Sequence, residues 1–182
     1  MKKILSLISF FVFISCGTLW VVSERQTNGK FKATKIAQIV KSIPFTLDAQ
    51  KTLLVVPNDN YVLGMAENLN YFDRILKFED FELEIIKDEM QEEVGSLSGK
   101  IGLSNAYNKY KPFLCLQWDE NEEKLNYIQL KLVNPKNAEE LFITEIYMDF
   151  IWAGVHDKNT FNPLFNRIIE YIETNSKTFK KN

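Results

Sequence analysis

The chain has 182 residues, 46% of them hydrophobic and 25% charged, with a formal net charge of −2. That length suits one domain around one core, and that apolar content excludes a disordered chain. The slightly acidic balance excludes the basic footprint of a nucleic-acid binder, so no nucleic acid is expected among its partners.

Met1-Lys2-Lys3 is a short positive stretch, and residues 4–15 form an apolar run of about twelve residues, the length of a secretory signal. Counting on to Val22 gives about nineteen residues, close to what a spanning helix needs, so an N-terminal transmembrane anchor is the alternative. Ser6, Ser9, Ser15, Gly17 and Thr18 dilute the longer stretch, and no basic cluster stops it, since Ser23-Glu24-Arg25-Gln26 is mixed. The segment Phe13-Ile14-Ser15-Cys16 resembles the lipobox of bacterial lipoproteins. A small residue precedes the cysteine, a branched apolar residue stands one further back, and Phe13 occupies the place where leucine is usual. The resemblance covers the first sixteen residues. It implies cleavage before Cys16, lipidation of its thiol, and attachment to a membrane through that residue. Several acyl chains anchor stably because each buried CH₂ contributes about 0.8 kcal/mol. It also implies a cell-envelope location. Gly17 is not the aspartate that favours inner-membrane retention, and the residues after Cys16 are not an acidic export tag, which leaves the outer membrane, facing the periplasm.

Residues 17–30 read as a tether, with Thr27-Asn28-Gly29 as the first turn signal. Ala33, Ile36, Ala37, Val40 and Ile43 recur at helical spacing and predict a short helix ending before Pro44. Thr52-Leu53-Leu54-Val55-Val56, closed by Pro57, reads as a buried central strand. Asn58-Asp59-Asn60 then precedes Val62, Met65, Ala66, Leu69 and Phe72 on one helical face, the opening of an α/β unit. Residues 74–78 suit a second short strand, with a loop as the alternative. Asp80 is placed to cap a helix running to about Val94, with Phe81, Ile85 and Met90 on its apolar side and Leu83 and Ile86 alongside. Residues 103–110 suit another helical turn or two. The period then changes: residues 113–118, 125–133 and 140–151, joined by short polar links, predict an antiparallel three-strand meander. Phe161, Leu164, Phe165, Ile168, Ile169 and Ile172 mark an amphipathic C-terminal helix, with Asn162 as cap and Pro163 at its first position. The expected fold is a single α/β (α+β) domain, a mixed sheet with a meander and packed helices. The expected divisions are a signal peptide at 1–15, a lipidated tether at 16–30, a globular domain at 31–176 and a basic tail at 177–182.

Little chemistry is written in recognisable motifs. His156 is the only histidine, which excludes two-histidine zinc sites, and once Cys16 is lipidated Cys115 stands alone in the apolar run Phe113-Leu114-Cys115-Leu116, as a small core residue. Phosphate cradles of the common glycine-rich kinds are missing, and no metal or cofactor is expected. The possible ligand loop is Asn58-Asp59-Asn60, because open α/β sheets bind ligands beyond the carboxyl ends of their strands; a plain capping turn explains the same residues. Trp118, Trp152, Tyr107, Tyr110, Tyr127 and Tyr147 could line a groove. The acidic run Glu79, Asp80, Glu82, Glu84, Asp88, Glu89, Glu92 and Glu93, relieved only by Lys87, reads as a solvated helix face or a patch for a basic partner. The expected function is that of a lipid-anchored envelope protein acting by binding, as an adaptor or assembly accessory with an envelope protein partner. The alternatives are a carboxylate hydrolase of envelope polymers and a carrier of an apolar ligand.

Overall fold

The computed structural model of the protein describes residues 22–148 and 158–179. The signal segment and Cys16 lie outside them, as do Trp152, His156, Asp157, Lys180 and Lys181. Six strands form one mixed sheet: β1 (Gln38–Ser42), β2 (Thr52–Val56), β3 (Arg74–Lys77), β4 (Leu114–Glu120), β5 (Tyr127–Asn134) and β6 (Glu139–Tyr147). Their spatial order is β1-β6-β5-β4-β2-β3. The described helices are α1 (Asn60–Glu67), α2 (Phe78–Lys87), α3 (Gln91–Val94), α4 (Lys100–Lys109) and α5 (Lys158–Asn175). The domain is α+β. Strands β4, β5 and β6 make the expected antiparallel meander, β1 extends it, and β3, β2 and β4 run parallel.

Side-chain alternation along the strands builds two cores. Leu53 and Val55 of β2, with Leu114 and Leu116 of β4, face the larger one, which α1 and α5 cover. Leu54 and Cys115, between them in sequence, face a smaller core closed by α2, α3 and α4. Burial on both faces is why β2 reads as a continuous apolar run. In β5 the pattern is one-sided: Ile128, Leu130 and Leu132 are buried, while Gln129 and Lys131 are half-exposed on the Cys115 face, on a part of it that α2–α4 do not cover. Helix α5 contributes most to the larger core. Phe161, Leu164, Phe165, Ile168, Ile169 and Ile172 are all fully buried, each worth about 1.5–3 kcal/mol by transfer.

Four expectations are corrected. The helix expected across Ala33, Ile36, Ala37, Val40 and Ile43 is instead the edge strand β1, paired to β6 with a register shift between Ile39 and Lys41. Of the five residues only Ala37 is buried, so the helical spacing marks no core face. The single helix to Val94 is two, α2 and α3, broken where Glu89 takes a positive φ of 56°. It starts at Phe78, which leaves Asp80 in the first turn rather than at the cap. Helix α5 starts at Lys158, before the expected cap Asn162, so Pro163 lies inside it.

The folded body also reaches beyond 31–176. Val22 packs at Gly64 of α1, and the Ser23 carbonyl accepts a hydrogen bond from Asn68 Nδ2 at 3.0 Å. Arg25 Nη1 donates to the Leu69 carbonyl at 2.9 Å. Phe31 meets Phe165 edge-on at 6.1 Å, with its amide and carbonyl both bonded to the Asn166 side chain. Residues 22–31 thus lie across the α1–α5 layer, and Asn162 Nδ2 continues the attachment to the Lys32 carbonyl. At the other end, Asp48 accepts hydrogen bonds from Ser176, Lys177 and Thr178. Those bonds hold its carboxyl well below the usual range. Phe179 stacks edge-on against Tyr71 at 5.7 Å.

Candidate functional site

The parallel run β3-β2-β4 creates the most site-like geometry. From the carboxyl end of β2 the chain turns into α1 over one face, and from that of β3 it turns into α2 over the other. Such divergence opens a crevice beyond the strand ends. Here it is a groove of about 460 Å³ walled by Val56, Pro57, Phe78, Leu97 and Leu103, with Asn58, Lys100 and Gln117 supplying polar groups. A second hollow of about 270 Å³ shares Lys100, Leu103 and Gln117, and runs on over Cys115 and Val133 to Lys41 and Glu140. The two hollows thus adjoin along α4, one at the end of β2 and the other towards the edge strand.

The ligand-loop residues stand at the mouth of this groove, with local duties. Asn58 Oδ1 accepts from the Phe78 amide at 2.8 Å. It supplies the cap that Lys77, preceding α2, does not. Asp59 Oδ1 caps α1, accepting from the Tyr61 and Val62 amides at 2.8 and 2.9 Å. Asn60 opens α1 and is exposed. The residues at 58–60 therefore fix the first turns of both helices that diverge around the groove, and Asn58 also lines it.

Cys115 forms part of the floor without being reactive: it is fully buried, and burial pushes its thiol up to about 12. The aromatic candidates among the described residues do not converge. Trp118 is half-buried against Phe161 of α5 at 5.8 Å, while Tyr127 and Tyr147 pair at 5.6 Å across the meander. Tyr107 and Tyr110 pack beside Phe113 and Phe81 in the smaller core.

Away from the groove, Glu145 sits on the uncovered part of the sheet with its side chain 1% exposed. Burial pushes its carboxyl up, but hydrogen bonds from Lys124, Gln129 and Asn121 outweigh that and hold it below the ordinary range. Asp119, Lys131 and Val40 line the surrounding hollow of about 400 Å³. Neither residues nor spacing pointed to Glu145 in the sequence beyond one signal, a lone charge in the strand-like run Phe142-Ile143-Thr144-Glu145-Ile146. A general acid must stay protonated near neutrality, so a carboxyl held low by three donors is not suited to that role, and its hydrogen bonds to Asn121 and Lys124 fix the β4–β5 connection.

Among the described residues no helix is long and apolar enough to cross a membrane. Comparison with protein-family models, with curated proteins and with solved structures finds no match to the chain.

Proposed function

We propose that this is a lipid-anchored cell-envelope protein that works by binding, as an adaptor or assembly accessory held at a membrane through Cys16. The observation that carries it is a juxtaposition. The lipobox-like Phe13-Ile14-Ser15-Cys16 ends only six positions before Val22, which is already packed on α1. Membrane attachment and folded body are thus nearly contiguous, as in a protein whose place at the bilayer is its working place. The groove beside α4 is the binding site, because it joins apolar walls to a few polar groups, the make-up of recognition sites in general. The outer membrane, periplasmic side, is the expected location.

The test has two parts. Mass spectrometry of native protein is expected to find Cys16 as the amino terminus, carrying a diacylglycerol and an acyl chain. A peptide retaining residues 1–15 with an unmodified Cys16 overturns the anchor. Pull-down of the full chain from detergent-solubilised envelopes is expected to bring a stoichiometric partner that is lost in Leu103→Asp and in Cys16→Ser. Absence of such a partner counts against an adaptor.

A further inference from the structure

Helix α2 buries Phe81 and Ile85 in the smaller core. A helix aimed that way must turn Leu83 and Ile86 outward, and they are 51% and 54% exposed. The charges around them are mostly negative, with Lys87, a turn beyond Leu83, the one cation within the helix. Glu79 stands one turn before Leu83, Glu82 one turn before Ile86, and Glu89 three residues beyond it. The cations at this end of the molecule are taken up on the opposite flank: Arg74 and Lys111 pair with Glu84, Lys111 also with Asp88, and Lys109 Nζ donates to the Glu93 carbonyl. Lys87 and Lys77, the latter just before α2, form no ion pair among the described residues. Glu79, Asp80, Glu82, Glu89, Glu92 and Glu93 form no ion pair among the described residues. The result is a short apolar ridge inside a ring that is acidic in balance, six carboxylates outside any ion pair among the described residues against Lys77 and Lys87. The ridge also lies across the sheet from residues 22–31, so it stays open to solvent when the α1–α5 side is held at a bilayer.

We infer that the outer face of α2 is a docking surface for a basic amphipathic helix of a protein partner, with apolar side chains set on Leu83 and Ile86 and Lys or Arg flanking them. The complement is set by charge. An acidic protein surface or an anionic bilayer is repelled by this ring, whereas a cationic segment is attracted and its apolar side chains find exposed Leu and Ile. This inference rests on the proposal that the protein acts by binding, and it names the chemistry of the partner.

The probe is a synthetic helical peptide with leucines on one face and lysines on the other, titrated against the full-length lipidated protein in neutral detergent micelles. Saturable binding is expected that weakens with salt. It should fall about tenfold in L83S/I86S and in E79Q/E82Q, with thermal midpoints unchanged because none of these four residues is in the core. A control variant, E122K/E123K, alters charge at the β4–β5 connection and is expected to bind as the unaltered protein does. The inference is overturned if the peptide does not bind, if a scrambled peptide of the same composition binds equally well, or if the control weakens binding as much as the α2 variants. The mass of the Cys16 peptide in the same preparation reports separately on the anchor, so a failed anchor and a failed docking surface are told apart.

Discussion

Single residues in this protein act mostly by closing turns. Asp59 caps α1 with two short hydrogen bonds, so Asp59→Ala is expected to cost about 1 kcal/mol in urea unfolding, and Asp59→Asn much less, because Asn caps as well. Asn58→Ala should cost a similar amount through α2, a helix twenty residues away in sequence. The first cap was legible, since Asp59 stands immediately before its helix; the second was not, because the cap reaches across a strand and a helix that only the fold brings together. Glu145 makes a pH-dependent case. Its folded-state carboxyl is held below the ordinary value, so its network stabilises fully above the unfolded value of about 4.3 and is lost as pH falls through the folded one. Glu145→Gln, which removes the charge from the Lys124 contact, is expected to lose about 1–2 kcal/mol at pH 7. The gap to the unaltered protein should shrink below about pH 4. Asp48, Asp88 and Glu170 are also held low, but they remain in both proteins, so the difference between paired urea curves from pH 3 to 7 isolates Glu145.

Elements whose burial pattern matches their period were legible. Strand β5 and helix α5 carry core faces that repeat at two and at 3.6 residues, β2 is a continuous apolar run buried on both faces, and each was found in the sequence. Strand β1 was not, because its side chains are largely exposed and its pairing is supplied by the open edge of β6, a partner a hundred residues away. The groove was legible only as a place, the carboxyl end of β2, since its far wall comes from Leu97 and Leu103 on the other side of the smaller core. That wall depends on how closely α4 approaches the segment before it. A Cβ on Gly102 would sit 1.8 Å from the Ser96 carbonyl oxygen, a backbone atom that cannot swing aside. Gly102→Ala is therefore expected to destabilise by about 3 kcal/mol despite the better helix propensity of alanine, and to widen the groove. Gly64→Ala makes the contrasting case. There the contact, at 2.7 Å, is with a side-chain methyl of Val22, so the cost should be within about 1 kcal/mol and fall on the attachment of the amino-terminal segment. Circular dichroism melts of the two variants, side by side, check the ordering.

At the scale of the molecule, the two faces of the sheet differ in what they present to a membrane. Between Cys16 and Val22 stand five residues, which extended reach at most about 20 Å, so an acylated Cys16 would hold the α1–α5 layer within one small-domain radius of the lipid. The opposite layer carries α2 and α3, with eight carboxylates and one lysine over residues 78–94. An anionic surface repels that layer over roughly a Debye length, about 8 Å at physiological salt, and so adds to the tether's preference instead of opposing it. The expected orientation is α1–α5 towards the bilayer and α2 away from it. Single fluorophores on Lys32→Cys and on Ile86→Cys can read this in full-length lipidated protein reconstituted into anionic vesicles with nitroxide-labelled headgroups. Cys115 does not compete for label, because it is fully buried and its thiol titrates only at about 12. Strong quenching at position 32 with little at 86 is the expected result, and raising salt should narrow the difference without reversing it, since the tether remains. Equal quenching at both sites would mean that the domain tumbles freely on its anchor. Stronger quenching at 86 would mean that the acidic layer faces the lipid, and the docking surface on α2 would then be closed to any partner coming from solution.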